Sequence, residues 1–147
     1  MKLSTRMRYG TRAMVELARR YGKGPISLTD IARRQGLSDK YLEALLASLR
    51  NAGLVRSVRG AQGGYLLANP PERINLRQVF EALEGSEADV YCTQDPNLCE
   101  RADRCVTQGV WARMYRASMD VLESTTLADL SRCVEAPASP AALSYQI

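Results

Sequence analysis

A chain of 147 residues, 46% hydrophobic and 24% charged, has room for one ordinary domain or a small domain with a helical arm, and its composition excludes a disordered or collagen-like polymer. The opening stretch MKLSTRMRYGTRAM carries four basic residues and no apolar run, so it is not expected to be a signal peptide, and no stretch approaches the roughly 18 apolar residues of a membrane span. The expected location is the cytoplasm, where thiols stay reduced and four cysteines point to metal ligands or redox sensors rather than structural disulfides.

The net charge of +4 is unevenly distributed: residues 1–84 hold 15 Lys and Arg against 7 Asp and Glu, whereas residues 85–147 hold 5 against 9. A basic half of this size suits a polyanion such as nucleic acid, because each neutralised phosphate releases counterions.

The fold class this sequence predicts is mainly α, a winged helix-turn-helix followed by a long C-terminal dimerisation helix. Residues 5–21 place Met7, Gly10, Ala13, Met14, Leu17, Ala18 and Tyr21 on one stripe of an amphipathic helix. Ser27 is placed to cap LTDIARRQ, with Leu28, Ile31 and Ala32 inward and Gly36 as its stop. Ser38 caps DKYLEALLASLRNAG, in which Leu42, Leu45, Leu46 and Leu49 share a face. Two helices joined by a tight turn at Gly36-Leu37 make a helix-turn-helix.

LVRSVRG and GYLLAN then form a hairpin whose turn, residues 60–64, is rich in glycine, so that Arg56 and Arg59 ride on a basic wing. Asn75 caps LRQVFEALEG, and an acidic segment follows Gly85. From Asp103 the longest helix is expected, with Val110, Met114, Ala117 and Val121 at seam spacing, Trp111 and Leu122 beside it, and a twin helix in a homodimer as the favoured partner. The resulting division is a DNA-binding domain over 1–84, a cysteine loop over 85–105, dimerisation helices over 106–134 and a disordered tail over 135–147.

At about 100° per residue, an inward leucine face points Lys40, Glu43, Ala44 and Ala47 outward, with Ser38 and Asp39 at the helix N-terminus. The major groove of double-stranded DNA is wide enough to admit such a helix and shows a distinct donor and acceptor pattern for each base pair. A carboxylate repels phosphate, so Glu43 is useful there chiefly as an acceptor for a cytosine amino group; the alternative is a solvated helix residue without consequence. Arg59, at the wing tip, suits a phosphate contact better than the minor groove.

Three cysteines, Cys92, Cys99 and Cys105, stand at C-x6-C-x5-C in a chain without histidine. Structural zinc sites draw on tight C-x2-4-C knuckles, whereas these intervals make a broad loop able to surround a larger inorganic core. The loop leads into a helix at Cys105, whose positive dipole end, together with Arg101 and Arg104, favours a thiolate and an anionic cluster. On the residues alone an iron-sulphur cluster, redox-active thiols, zinc and inert cysteines all stay open. Cys133 reads as a buried structural thiol. An enzyme is not expected: there is no nucleophile with a base, and Gly60 to Gly64 precedes no helix that would cradle phosphate.

MKLSTRMRYGTRAM, YLE at 41–43, the GLV-S-RG run at 53–60, GGYLL at 63–67 and three cysteines ahead of a long helix together resemble the Rrf-type family of bacterial winged-helix regulators, most of all its IscR branch, over residues 1 to about 133. The resemblance implies a homodimer that binds specific DNA under control of an iron-sulphur cluster. It implies Glu43 and Arg59 as base or groove readers, Ser38 and Tyr41 as DNA backbone contacts, and Cys92, Cys99 and Cys105 as cluster ligands.

The chain departs from that pattern at the fourth ligand. The IscR branch carries a histidine where this chain has Gln108, and the nitric-oxide-sensing branch borrows an aspartate from the partner's first helix, where this chain has Arg8. Gln108, Asp95, Glu100, Asp103, a small molecule or an incomplete site remain, and without histidine the choice leans to 4Fe-4S over 2Fe-2S. A weak fourth ligand leaves one iron labile, so the cluster is expected to report iron supply, oxygen or nitric oxide. The second reading keeps the winged helix and gives the three thiols a cluster-free redox role through disulfides.

Overall fold

In a computed structural model, the chain is described over residues 3–85, 99–101 and 104–135. The expected disordered tail beyond residue 135, which itself closes the last described helix, and most of the cysteine segment, Cys92 included, lie outside the described residues.

Helix α1 (Thr5–Arg19) starts at Ser4, whose hydroxyl accepts the Met7 N–H at 3.1 Å, and it buries Met7, Gly10, Ala13, Met14, Leu17 and Ala18 as their spacing predicts. Tyr21 does not join that stripe: the helix ends at Arg19, and the ring is 47% exposed. In α2 (Leu28–Gln35) the Ser27 hydroxyl accepts the Asp30 N–H at 3.1 Å, and Gly36 closes the helix in the left-handed region at φ 64°, where a side chain would be strained. Helix α3 (Asp39–Asn51) follows after one turn, capped by Ser38 through the Tyr41 N–H at 3.3 Å. Its four predicted leucines are all fully buried.

Strands β1 (Val55–Val58) and β2 (Gly64–Leu67) pair antiparallel with Arg56 opposite Leu66 and Val58 opposite Gly64. Tyr65 exchanges both backbone hydrogen bonds with Ile26, at 2.8 and 2.9 Å, so the hairpin is fastened to the segment that leads into α2. A 3-10 turn (Pro71–Arg73) precedes α4 (Leu76–Glu84), which opens with a reciprocal capping box between Asn75 and Gln78. This is a winged helix-turn-helix, as the sequence predicts.

Helices α5 (Gln108–Ser124) and α6 (Leu127–Glu135) return to it. Backbone hydrogen bonds of 2.9 Å from Leu76 to Thr125 and from Leu127 to Ile74 fix the α5–α6 corner beside the start of α4. Met119, Leu122 and Leu127 enter the same core as α1 to α4.

α5 is the longest described helix but begins at Gln108, five residues later than expected from Asp103. The Cys105 and Thr107 carbonyls accept from Gln108, Val110 and Trp111 in a turn that only then becomes helical, and Gly109 in the first turn weakens any earlier start. Leu122 is buried against the core rather than lying beside the seam.

Two consequences follow for stability. Gly64 sits at φ 153°, and a Cβ there would lie 2.2 Å from the Ile26 carbonyl oxygen, so Gly64→Ala should cost about 2 kcal/mol or more, read as a lower midpoint in thermal unfolding. At the start of α6, Asp129 accepts from the Thr126 hydroxyl and the Thr126 N–H, which with Arg132 hold its carboxyl below the ordinary 3.8. A depressed carboxylate contributes stability that is complete above its unfolded value and lost as pH falls through the folded one. Acid unfolding of Asp129→Asn should therefore show a shallower loss of stability below about pH 4 than the unsubstituted chain.

Candidate nucleic-acid interface and cysteine site

Burying Leu42, Leu45, Leu46 and Leu49 leaves the opposite face of α3 to solvent. Ser38, Lys40, Glu43 and Ala44 are exposed there and Ala47 is half-buried, close to the arrangement that 3.6-residue periodicity predicts. Tyr41 is half-buried: its ring stands edge-on to that of Tyr9 on α1, centroids 6.3 Å apart at 89°. Arg12 lies over the same Tyr9 ring at 5.7 Å. The N-terminal end of α3 is thus braced by an aromatic contact that sequence spacing could not reveal, since the two rings come from separate helices.

Residues 59–63 connect the strands through a turn in which the Gly63 N–H meets the Gly60 carbonyl at 2.9 Å, and Arg59 at its start is exposed, as is Arg56. The charges of the basic half are not equivalent. Glu16 pairs with Arg19 and Arg34, at 3.6 and 3.3 Å, and Asp30 with Arg33 at 2.7 Å. Lys40, Arg50, Arg56 and Arg59 enter no ion pair among the described residues, and neither do Arg8 and Arg12 on α1, so unpaired cations lie on α1, α3 and the wing, with Asp39 and Glu43 beside those of α3. That concentration of free charge is what a phosphate backbone requires.

Of the predicted cysteine site, Cys92, Asp95 and Asp103 lie outside the described residues. Cys99 and Cys105 are half-buried free thiols, and Glu100 is exposed. Among the described residues no group of three acidic or thiol ligands converges.

Cys105 carries the clearest chemistry. Its sulphur lies 3.3 Å from the Thr107 hydroxyl, and that hydrogen bond, with the Thr107 and Gln108 N–H groups, pulls the thiol below its ordinary value of 9.0 against the opposing effect of burial. The stabilising donors come from the turn before α5 and its first residue, Thr107 and Gln108, rather than from Arg101 and Arg104, and Cys105 precedes the helix rather than belonging to it. Thr107 was legible only as a small hydroxyl residue two places after a cysteine.

Glu100, Arg101, Arg104, Cys105 and Val106 line an open depression of about 580 Å³. A thiol whose pKa is lowered, in a depression also lined by two arginines, fits an anionic, thiolate-ligated group. Gln108 is half-buried at the first position of α5. Cys133, expected to be buried, is exposed on α6: that helix puts Leu127 and Ala128 into the core and turns position 133 to solvent.

The expected seam is bare in the single chain. Val110, Trp111, Met114 and Val121 are 56, 40, 44 and 63% exposed along α5, while Met119 and Leu122 on its other side are buried. No helix among the described residues is long and apolar enough to cross a membrane.

Comparison with known proteins agrees with this architecture. The Rrf2 family, described as an iron-dependent transcriptional regulator, matches residues 3–132. Protein rrf2 of Nitratidesulfovibrio vulgaris is 46% identical over 132 residues, spanning 90% of this chain and 88% of the relative. The solved structure of IscR from T. potens is 44% identical and superposes with a TM-score of 0.77, covering 95% of this chain and 93% of that one. The oxidized form of CymR from Staphylococcus aureus is also 44% identical, with a TM-score of 0.72 over 89% of this chain and 96% of that one. The relatives are transcriptional regulators and not enzymes. With nearly its whole described length matched in both sequence and fold, the chain belongs to the Rrf2 family of transcriptional regulators.

Proposed function

We propose that this regulator binds a specific sequence of double-stranded DNA as a homodimer in the cytoplasm, and that an iron-sulphur cluster held by Cys92, Cys99 and Cys105 governs the binding. The observation that carries the reading is the Cys105 thiol, favoured as thiolate by Thr107 and Gln108 and set among Arg101 and Arg104 directly before the helix that bears the exposed seam. The likeness to IscR supports it.

In this reading α3 enters the major groove. Glu43 accepts from a cytosine amino group, Lys40 and Arg59 meet phosphate, and Ser38 and Tyr41 contact the DNA backbone. Val110, Met114, Ala117 and Val121 pair with the same residues of a second copy, which sets the separation of two α3 helices to match two half-sites. Three thiolates hold the cluster, with Gln108, Glu100, Asp103 or Asp95 as the fourth ligand, and the absence of histidine favours 4Fe-4S over 2Fe-2S. When bound, the cluster supplies a centre that iron supply, oxygen or nitric oxide can alter. The chain's own contribution is to stabilise the thiolates and to join the segment they occupy to α4 on one side and α5 on the other.

A second reading is favoured by the likeness to CymR, solved in an oxidized form. Two of the thiols would lose two protons and two electrons to a peroxide, forming a disulfide and water, with no metal involved.

Two measurements decide between these roles. Protein isolated without oxygen should be brown, with two to four irons and matching sulphide per chain on the order expected for such clusters, and Cys105→Ser should lose most of that iron; colourless protein whose DNA binding follows dithiothreitol supports the thiol reading instead. On DNA, Glu43→Ala should relax discrimination at one base pair by about 1–3 kcal/mol, whereas Arg59→Ala should weaken binding to all sequences and lower the salt slope by about one. Affinities for duplexes varied one position at a time separate the two effects.

A further inference from the structure

The first turn of α1 closes on the last turn of α4, and one side chain there reaches a third helix. Arg6 donates from Nε to the Leu83 carbonyl at 3.2 Å and from its terminal nitrogen to the Ser48 hydroxyl at 3.3 Å. Leu83 belongs to the final turn of α4, whose last four carbonyls have no partner within their own helix, so the guanidinium caps that end from outside. Ser48 lies on α3, and its hydroxyl passes the contact on by donating to the Ala44 carbonyl at 3.4 Å. Among the described residues Arg6 is the one hydrogen-bonded side chain that joins α3 to α4.

The α4 end of this link has little play. Ser4 donates to the Glu84 carboxylate, and Gly10 lets α1 come so close that a Cβ there would stand 2.3 Å from Leu83 Cδ1. The α3 end touches the helix at Ser48 and, through its hydroxyl, at Ala44, which adjoins Glu43 and lies one turn from Lys40 on the outward face. A planar guanidinium can hold two acceptors in fixed directions at once, which a lysine ammonium on the same stem does less well.

We propose that Arg6 is a positioning residue for base recognition: it sets the rotation of α3 relative to the end of α4, and so the angle at which Lys40 and Glu43 are presented. The proposal rests on the reading that α3 meets DNA.

The test uses the full-length protein, a duplex selected from a random-sequence pool against the wild type, and a scrambled duplex of equal length. In Arg6→Gln the ratio of selected to scrambled affinity should fall about tenfold, and in Arg6→Lys and Ser48→Ala a few-fold, while the salt slope and the affinity for scrambled DNA stay as in the wild type. An unchanged ratio in Arg6→Gln beside a discriminating wild type would overturn the positioning role alone. Equal losses on both duplexes with a salt slope lower by about one would overturn it too, by making Arg6 a phosphate contact. A wild type that selects no sequence from the pool would remove the underlying reading of α3, and the proposal with it.

Discussion

The constraint on which this molecule depends is the complete burial of one face of α3. Leu42, Leu45, Leu46 and Leu49 have no solvent exposure, and a helix turns too regularly to bury that row without also fixing which residues face away. Replacing any of them with alanine would open a cavity at a cost of about 2–5 kcal/mol, a large part of a typical domain's stability, so the core decides which face of the helix turns outward and leaves only its fine angle to polar contacts such as that of Arg6. The outward residues Lys40 and Glu43 are therefore placed by the core beneath them. The wing inherits the same frame, because Val55 and Leu67 are buried in the same core and Tyr65 is hydrogen-bonded to Ile26 beside α2.

Charge completes what packing begins. The surplus of basic residues over 1–84 is partly cancelled on α1 and α2, where Glu16 and Asp30 face arginines, while Arg56 and Arg59 of the hairpin and Arg8 and Arg12 of α1 meet no carboxylate among the described residues. These exposed pairs contribute little to stability; their effect is on where the positive potential remains. The elements that shape the core also lead into the cysteine segment. The chain leaves α4 for that site and re-enters the described fold shortly before α5, whose inner face packs on α4 and whose outer face stays apolar and bare.

Much of this was legible in the sequence for definite reasons. Ser27, Ser38 and Asn75 are short polar residues before apolar-periodic runs, and each accepts the backbone N–H three residues on. The leucine spacing of α3 and the glycine-rich hairpin turn are local signals, and local signals survive into the fold. What the sequence hid is non-local. The Tyr9–Tyr41 contact, the bridge from Arg6 to Leu83 and Ser48, and the return of α6 to α1 all depend on which helices meet. Helical periodicity runs back through Cys105 while the backbone there is still a turn, so sequence pattern alone starts α5 too early, and residue type does not show which side of α6 Cys133 occupies.

The central claim is that a thiolate-held cluster alters how α3 meets DNA. The most direct test is the affinity of oxygen-free, cluster-loaded protein for one selected duplex, compared with the same preparation after chelation of its iron and with all thiols kept reduced. Affinities should differ by about tenfold or more, equivalent to roughly 1.4 kcal/mol, and the difference should be reversed when iron and sulphide are restored. Equal affinities for loaded and stripped protein would contradict it.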